Sequence, residues 1–292
     1  MTDDIRADSG TPVDLLVVGG LTIDVLDGAE VVGGAARHST EAAVAAGLRV
    51  ALLTVAAEQP VVRAWIEDIG ARATVAWQAA PSTIVFEHHG HHATRRLRLR
   101  SATDPIRLSD RDRVPAARAL LFGPVAGEVP DEVVARLRAA TRAAGLQGWL
   151  RRTDADGWVE RLRLGEVEDR TAAALRGLDL LLASVDELRG DDGEEGIRRL
   201  RAWAGPGPEL VVTAGADGAW VDDGHAPARH VPAGPRTERH SIGAGDAFAA
   251  VLVARRATGL DLRAAAARAA AATSRFLETR RELLPPTMTA DE

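Results

Sequence analysis

Short apolar runs recur along the chain and alternate with segments of helical periodicity. The first run, at residues 13–18, is interrupted only by Asp14, which is typical of a strand buried on both faces of a sheet. Runs of similar character predict further strands, at 50–55, 73–77, 119–122, 146–150, 178–183 and 210–213. Helical periodicity predicts helices, at 61–69, 131–144, 246–258 and 262–277. This rhythm predicts one α/β domain with a mostly parallel central sheet.

The alternation breaks between residues 82 and 101, where two alternating segments flank Gly90. This pattern predicts a β-hairpin, and such an insertion can form a lid. Four of the eight histidines lie here, at positions 88, 89, 91 and 92. Adjacent strand residues point to opposite faces and no carboxylate cluster accompanies them, so a metal site is the weaker interpretation. The alternating arginines at 96, 98 and 100 favour a solvated edge strand over a phosphate clamp.

A polar loop meets a long Ala-rich run at Gly243-Ala244-Gly245-Asp246. The two glycines allow a ligand to approach the main chain, and the free N–H groups of a first helical turn favour a phosphate. Asp246 lies in that turn and could accept a proton from an attacking hydroxyl. Taken alone, the pattern is more typical of an ordinary loop with an acidic first-turn residue.

Other candidate groups follow the ends of predicted strands. They are Asp24 after the first strand, the Gly33-Gly34 pair at a helix start, Glu187 after the strand at 178–183, and Gly215 and Gly218 after the strand at 210–213. Each has a plain alternative, because Asp24 can be a turn residue and the glycine pair can serve helix packing. Parallel strands place their carboxyl ends at one edge, where open α/β sheets bind ligands. Their convergence with Asp246 predicts a binding site at that edge.

Composition narrows the chemistry. The 292-residue chain has no Lys, Asn, Cys or Tyr, which excludes a P-loop lysine, Schiff-base chemistry and thiolate nucleophiles or ligands. The net charge of −6 argues against nucleic acid as a partner, and the lack of an apolar run near 18 residues argues against a membrane span. The acidic, polar start is not a secretory signal, so we expect a cytoplasmic protein with disordered tails at 1–12 and 285–292.

In the order and spacing of these segments, the chain resembles the ribokinase-like, or PfkB-type, carbohydrate kinase family from about residue 13 to residue 284. The segments that carry the resemblance are Asp24, Gly33-Gly34, Glu187 in the place of an Asn-x-x-Glu motif, Thr213-x-Gly215-x-x-Gly218 and Gly243-Ala244-Gly245-Asp246. The short connection from Asp24 to Gly33 and the segments 102–106 and 123–128 are most similar to the inositol-kinase-like branch. The resemblance implies a three-layer α/β/α ribokinase-like fold with a small β-hairpin lid at 82–101.

The resemblance also implies an activity, which is transfer of the ATP γ-phosphate to a hydroxyl of a sugar or polyol such as inositol. Asp246 would be the base, and the N–H groups of Gly243, Ala244 and Gly245 would form the anion hole. Glu187 would hold Mg²⁺ through water. The nucleotide would contact Thr213, Gly215 and Gly218, and the acceptor would contact Asp24, Gly33, Gly34 and His38. A homodimer formed through the lid is left open, and neither nucleic acid nor a membrane is an expected partner.

Three positions depart from the family's pattern. His38 stands where the family has a substrate-contacting Asn, which argues against hexose or ribose recognition. Ser184 replaces the Asn of the Asn-x-x-Glu motif, and His240 replaces an acidic residue, which argues against the family's monovalent-cation site. The alternatives are a non-catalytic nucleotide- or metabolite-binding relative and a nucleoside kinase. A nicotinamide-dependent dehydrogenase ranks third, because no Gly-x-Gly-x-x-Gly follows the first strand.

Overall fold

The computed structural model describes residues 8–90, 96–108, 114–190, 192–235 and 242–281. The strands of these residues are β1 (Asp8–Val18), β2 (Thr22–Leu26), β3 (Ala29–Gly33), β4 (Val50–Ala56), β5 (Thr74–Ala79), β6 (Ile84–His89), β7 (Arg96–Ser101), β8 (Pro115–Phe122), β9 (Thr141–Gly145), β10 (Arg151–Thr153), β11 (Val159–Arg161), β12 (Leu180–Ser184), β13 (Glu209–Thr213), β14 (Ala219–Asp222) and β15 (Arg229–Val231). The helices are α1 (Ala35–Ala45), α2 (Pro60–Gly70), α3 (Asp131–Arg136), α4 (Asp169–Arg176), α5 (Val185–Leu188), α6 (Gly193–Ala204), α7 (Ala244–Arg256) and α8 (Leu262–Arg281).

Nine strands form the central sheet, in the order β15-β14-β13-β12-β9-β8-β1-β4-β5. The pairs from β5 across to β13 are parallel, and only β14 and β15 run antiparallel to their neighbours. After β1 the chain builds outward on one side through β4 and β5, and then crosses back to β8 on the other. The carboxyl ends of β1 and β8 therefore flank a topological switch point, the usual ligand position in such sheets.

Alternation along the strands feeds two hydrophobic cores. Leu15 and Val17 of β1 face one core, formed with α1, α2, α7 and α8, whereas Leu16 and Val18 face the other, formed with α3 to α6. Side chains of a strand point alternately to opposite faces, so an uninterrupted apolar run fills both layers. The predicted three-layer α/β/α arrangement is confirmed.

Helix α7 lies in the middle of one layer, packed between α1 and α8 and over β8 and β9. All eight residues from Ala247 to Ala254 are buried. They are also all apolar, as expected for a helix that is enclosed on every side. Its small alanines let the neighbouring helices approach closely. The position of its first turn is therefore set by the core.

A second, four-stranded sheet, which we call the small sheet, has the order β3-β2-β6-β7. Strands β6 and β7 pair antiparallel as the hairpin pattern predicts, and β2 pairs parallel with β6. The β2–β3 hairpin was not predicted, although its turn residues Asp27 (φ 50°) and Gly28 (φ 83°) have the left-handed geometry of a two-residue hairpin. The lid element is thus twice as wide as the sequence suggested.

Two predicted segments were wrong. The helix predicted at 131–144 ends at Arg136, and residues 141–145 form β9 between β8 and β12. The strand predicted at 146–150 begins instead with a short 3-10 turn at Leu146–Gly148. Ala143 and Ala144 are fully buried on opposite faces of the sheet, so burial between neighbouring strands overrides the helical preference of alanine.

The predicted tails fall mostly outside the described residues, which begin at position 8 and end at 281. Residues 8–12 nevertheless belong to β1, so the tail prediction was too long at that end. Within the described ranges, no helix combines the length and apolar character that a membrane crossing requires.

Candidate active site

A cavity of about 330 Å³ opens between the carboxyl ends of the central strands and the small sheet. This volume lies within the range of small-molecule sites. Most of the residues predicted for a site line it, namely Asp24, Gly34, His38, Glu187, Thr213, Gly215, Gly243, Ala244, Gly245 and Asp246. The convergence of strand ends that the sequence indicated is therefore present in the fold.

The start of α7 forms one wall of this cavity. Gly243 caps the helix with φ 78°, Ala244 is its first residue and Asp246 lies in its first turn. A side chain at Gly243 would lie 2.4 Å from the Cγ atom of His38, so the imidazole ring packs directly on this glycine. The hydroxyl of Ser39 donates a hydrogen bond of 3.1 Å to the carbonyl oxygen of Asp246. Helix α1 thus holds the first turn of α7 in place.

Asp24 lies under the small sheet at the other end of the cavity. The residue is 8% exposed, and its Oδ1 accepts a hydrogen bond of 3.0 Å from the Thr22 hydroxyl. The Nε2 atom of His88, on the neighbouring strand β6, lies 3.6 Å from the same oxygen. A side chain at Gly33 would lie 2.1 Å from Asp24 Oδ2. Gly33 therefore makes room for the carboxylate, whereas Gly34 is the member of the pair that lines the cavity.

Glu187 has a structural task as well as a place in the cavity wall. Its carboxylate accepts a hydrogen bond of 2.9 Å from the Ser184 N–H, and the Ser184 hydroxyl accepts one of 3.2 Å from the Glu187 N–H. This reciprocal pair is a capping box at the start of α5. Burial raises the pKa of the Glu187 carboxyl, and the Ser184 N–H, Arg151 and a hydrogen bond with Gln147 oppose that rise.

A smaller cavity of about 110 Å³, which we call the apolar slot, adjoins the first. Its walls come from β14, the segment 231–234, and helices α7 and α8, and they include Pro232, Ala233, Gly234 and Phe248. Thr213, Gly215 and Gly218, predicted for the nucleotide, also line this slot. Ala244 and Gly245 line both cavities. A ligand that fills both would pass the first turn of α7.

Several residues of the cavity wall were missed by the sequence interpretation. Phe86, His88 and Leu97 extend from the small sheet into the cavity, and Gln147 and Arg151 enter it from the segment after β9. The alternation of β6 could have placed Phe86 and His88 on one face. Gln147 and Arg151 gave no such signal, because the sequence predicted a regular strand there.

The wall next to the small sheet is held by a buried carboxylate. Glu128 is 2% exposed and accepts hydrogen bonds from the N–H groups of Gly20 (2.9 Å), Val125 (2.9 Å) and Ala126 (2.8 Å). These bonds tie the loop after β8 to the turn after β1. A charge at this depth is tolerated because its oxygens are satisfied by backbone donors.

No group of three or more potential metal-ligating side chains occurs among the residues that the structure describes. The histidine cluster predicted at 88–92 falls partly outside them, since His91 and His92 are not described, and the same holds for His240 and Ser241. Of the described pair, His88 faces the cavity, whereas the exposed His89 has its Nε2 atom 3.3 Å from the Glu87 carboxylate.

Comparison with known families gives one decisive match. The model described as "pfkB family carbohydrate kinase" matches residues 93–281, more than half of the chain. The chain belongs to the pfkB family of carbohydrate kinases. The resemblance inferred from its motifs is therefore confirmed. No curated protein matches this pfkB family member in sequence.

Solved structures agree on the fold. A pyrophosphate-dependent kinase of the ribokinase family, complexed with a pyrophosphate analogue and myo-inositol, is 20% identical with a TM-score of 0.73, over 90% of this chain and 95% of its own. A sulfate complex of a pyrophosphate-dependent kinase of that family is 22% identical with the same score and coverage. Arabidopsis thaliana ribokinase, complexed with ribose and ATP, is 14% identical with a TM-score of 0.66, over 92% and 93%. At such identities the likeness establishes the ribokinase-like fold.

Proposed function

We propose that this pfkB family member transfers the γ-phosphate of ATP to a hydroxyl group of a small polyol or sugar. The observation that supports the proposal best is the position of the first turn of α7, because Ala244 and Gly245 line both the larger cavity under the small sheet and the apolar slot. A donor in the slot and an acceptor under the small sheet would meet at that turn, where Asp246 also lies.

The proposed reaction is a phosphoryl transfer from ATP to the acceptor hydroxyl. The acceptor oxygen attacks the γ-phosphorus, the bond from that phosphorus to the bridging oxygen of ADP breaks, and the hydroxyl proton passes to the Asp246 carboxylate. The N–H groups of Gly243, Ala244 and Gly245 lie at the start of α7 and are the donors that would stabilise the developing charge. His38 and Ser39 keep this turn fixed, so little reorganisation is needed.

Magnesium fits the oxygen donors available here. Mg²⁺ is usually held by one or two carboxylates together with substrate phosphates and water, so a single carboxylate at Glu187 is sufficient. The bound ion would neutralise charge on the transferred phosphoryl group. The Glu187 carboxylate accepts from the Ser184 N–H in its capping box and also makes a hydrogen bond with Gln147, and its remaining lone pairs can accept from a water of the metal shell.

The acceptor end fits a compact polyhydroxylated ring. Asp24 offers a carboxylate for hydroxyl groups, His38 and His88 add imidazole groups, and Phe86 and Leu97 supply an apolar surface. The structural neighbour with bound myo-inositol motivates the inositols as first acceptors to try. His38 in place of the family's Asn argues against simple hexose or ribose selection.

Two phosphoryl donors come into question, because two of the neighbouring structures are pyrophosphate-dependent kinases. The apolar slot supports a nucleotide, since a flat aromatic base is stabilised by apolar walls such as Pro232, Ala233 and Phe248. Pyrophosphate would leave this slot without an occupant. We therefore propose ATP as the donor and pyrophosphate as the alternative.

The test uses purified protein with Mg²⁺, ATP or pyrophosphate, and a panel of inositols, sugars and nucleosides, with release of ADP or phosphate as the measurement. We expect ADP release with at least one acceptor, and a loss of kcat of about 10³-fold in Asp246→Asn. Asp68→Asn, which changes an exposed carboxylate of α2, is the control. An Asp246→Asn variant with the wild-type rate would remove Asp246 as the base.

A non-catalytic binding relative is the second candidate, motivated by the changes at His38, Ser184 and His240. A binder would be stabilised by ATP or an acceptor without consuming either. Thermal shifts with every acceptor of the panel, measured beside the turnover assay, separate the two. Binding of ATP with no turnover on any acceptor would favour the binder.

A further inference from the structure

The β10–β11 hairpin attaches to the outer edge of the small sheet. The Leu99 N–H of β7 donates a hydrogen bond of 2.8 Å to the Gly157 carbonyl, and Arg98 pairs with Trp158 as an antiparallel bridge. The Arg98 Nε donates a further bond of 2.9 Å to the Asp156 carbonyl. The hairpin tip therefore covers an edge of β7 whose backbone groups would otherwise be open to solvent.

Trp158 is the centre of this contact. The guanidinium of Arg96 lies 4.2 Å from the centroid of its ring, that of Arg98 lies at 5.7 Å, and the His89 ring meets it edge-on at 5.1 Å. Cations at these distances are attracted to the face of an indole ring. The arginine alternation of β7 thus has a partner within the chain. Trp158 and its three neighbours form what we call the Trp158 clamp.

The other end of the hairpin reaches the active-site cavity. Arg151, the first residue of β10, lines the cavity, donates a hydrogen bond of 3.2 Å to the Val125 carbonyl and lies 5.7 Å from the Phe86 ring centroid. Its charge also acts on Glu187. Arg161, the last residue of β11, donates a hydrogen bond of 3.0 Å to the Asp186 carbonyl in α5. One hairpin therefore touches the small sheet, the acceptor wall and the helix that carries Glu187.

From this geometry we infer that the β10–β11 hairpin couples the position of the small sheet to the acceptor wall of the cavity and to α5, with Arg151 and Trp158 as positioning residues. The inference rests on the proposed function. When the Trp158 clamp holds β7, the hairpin is seated and Arg151 contacts Phe86 and Val125 beside the acceptor. When the clamp is lost, the acceptor wall loosens although no residue of the clamp lines the cavity.

The kinetic test compares Trp158→Ala and Trp158→Phe with Trp203→Ala. Trp203 stacks with Arg176 at 4.8 Å on the α6 side of the sheet, so its loss removes a similar contact away from the small sheet. We expect Trp158→Ala to raise the acceptor KM about tenfold while the ATP KM stays unchanged. Trp158→Phe should raise the acceptor KM much less, because it keeps an aromatic ring at this position. Equal acceptor KM values in Trp158→Ala and wild type would overturn the coupling.

Arg151 is tested through its dependence on the clamp. Arg151→Gln should raise the acceptor KM and also lower kcat by about tenfold to 100-fold, and Arg151→Lys should recover part of the kcat. In the Arg151→Gln background, Trp158→Ala should add little, because the clamp acts through Arg151. Fully additive effects of the two substitutions would overturn this part of the inference.

A measurement without turnover separates this inference from the proposed function. Hydrogen exchange at residues 96–101 should accelerate in Trp158→Ala, and saturating myo-inositol should slow exchange there in wild type but not in Arg151→Gln. This result would support the coupling even if no phosphate is transferred. Unchanged exchange in Trp158→Ala would contradict the clamp, whatever the enzyme assay gives.

Discussion

Two regions meet at the first turn of α7, the proposed donor end at the apolar slot and the proposed acceptor end under the small sheet, and they are lined by different kinds of residue. The proposed donor end is rich in glycine, with Gly215, Gly218 and Gly234 along the apolar slot and the helix start at Gly243, and its larger side chains, such as Phe248, are apolar. The acceptor end consists of titratable and aromatic side chains, including Asp24, His88 and Phe86 on the small sheet. A backbone site depends on where glycine is allowed, whereas a side-chain site depends on which strands happen to be neighbours.

This difference implies that substitutions at the two ends have different kinetic signatures. A change at the donor end should alter the donor KM or kcat for every acceptor. A change at the acceptor end should alter the acceptor KM and leave the donor KM unchanged.

The largest effect is expected for Gly243→Ala. The residue has φ 78° and its Cβ would lie 2.4 Å from His38 Cγ, so His38 or the first turn of α7 must shift, and the left-handed backbone is strained in either case. Loss of one well-placed donor to a developing anion costs on the order of 10²- to 10³-fold in kcat. Steady-state kinetics with each active acceptor should show this loss throughout.

Two further variants distinguish the steric clash with His38 from the backbone strain at Gly243. Gly70→Ala is the control, because a Cβ there has no atom within 4 Å. His38→Ala combined with Gly243→Ala removes the clash but leaves the left-handed φ, so we expect partial recovery of kcat. A Gly243→Ala enzyme with normal kcat would mean that the backbone there does not contribute to catalysis.

A smaller effect, confined to one donor, is expected for Ala233→Phe. The added ring would occupy the apolar slot, so the KM for ATP should rise about 50-fold, while the use of pyrophosphate, if any, is untouched. Ala226→Phe, in the loop before β15, is the control. An unchanged ATP KM would mean that the adenine of ATP binds outside the apolar slot.

His88→Ala should act on the acceptor alone. His88 approaches Asp24 Oδ1 at 3.6 Å and its side chain is 9% exposed, so its removal leaves a buried carboxylate with one neighbour fewer. We expect the acceptor KM to rise about tenfold and the ATP KM to stay the same. His225→Ala, in an exposed loop, provides the comparison. A rise in the ATP KM would break the separation between the two ends.

The mildest expected effect is a pH dependence at Glu187. Burial raises the pKa of this carboxyl above its ordinary value, so the group becomes protonated at a higher pH than an exposed glutamate. Because a protonated carboxyl is a poor partner for Mg²⁺, the Mg²⁺ requirement should increase a few-fold as pH falls through the mildly acidic range.

Glu187→Gln keeps the capping box, because glutamine can also accept from the Ser184 N–H. Its Mg²⁺ requirement should be higher at neutral pH and nearly independent of pH. Folding stability depends on pH in the opposite direction, because it is greater at low pH. A raised pKa favours the folded state at low pH, so wild type should lose stability relative to Glu187→Gln as pH rises through the Glu187 pKa. If the Mg²⁺ requirement and the stability varied with pH in the same way in both proteins, Glu187 would not be the titrating group.

The residues that line the proposed donor end were easier to recognise from the sequence than those that line the proposed acceptor end, for physical reasons. Gly243, Gly215 and Gly218 were recognisable because their spacing marks backbone geometry that other residues rarely adopt. The pairing of Asp24 with His88 was not, because it depends on β2 lying beside β6, sixty residues further along the chain. Gln147 and Arg151 were not recognised because the sequence predicted a strand at 146–150. The strand β9 lies at Thr141–Gly145 instead, and a 3-10 turn follows it.

The burial of α7 has a consequence for how the protein responds to heat. Since every residue from Ala247 to Ala254 is enclosed by the core, the helix cannot detach without dissolving one of the two layers. Its amides should be among the slowest to exchange, opening only with the whole molecule. The first turn at its start, the proposed anion site, would then remain organised until the cooperative melting transition, so thermal inactivation and global unfolding should coincide.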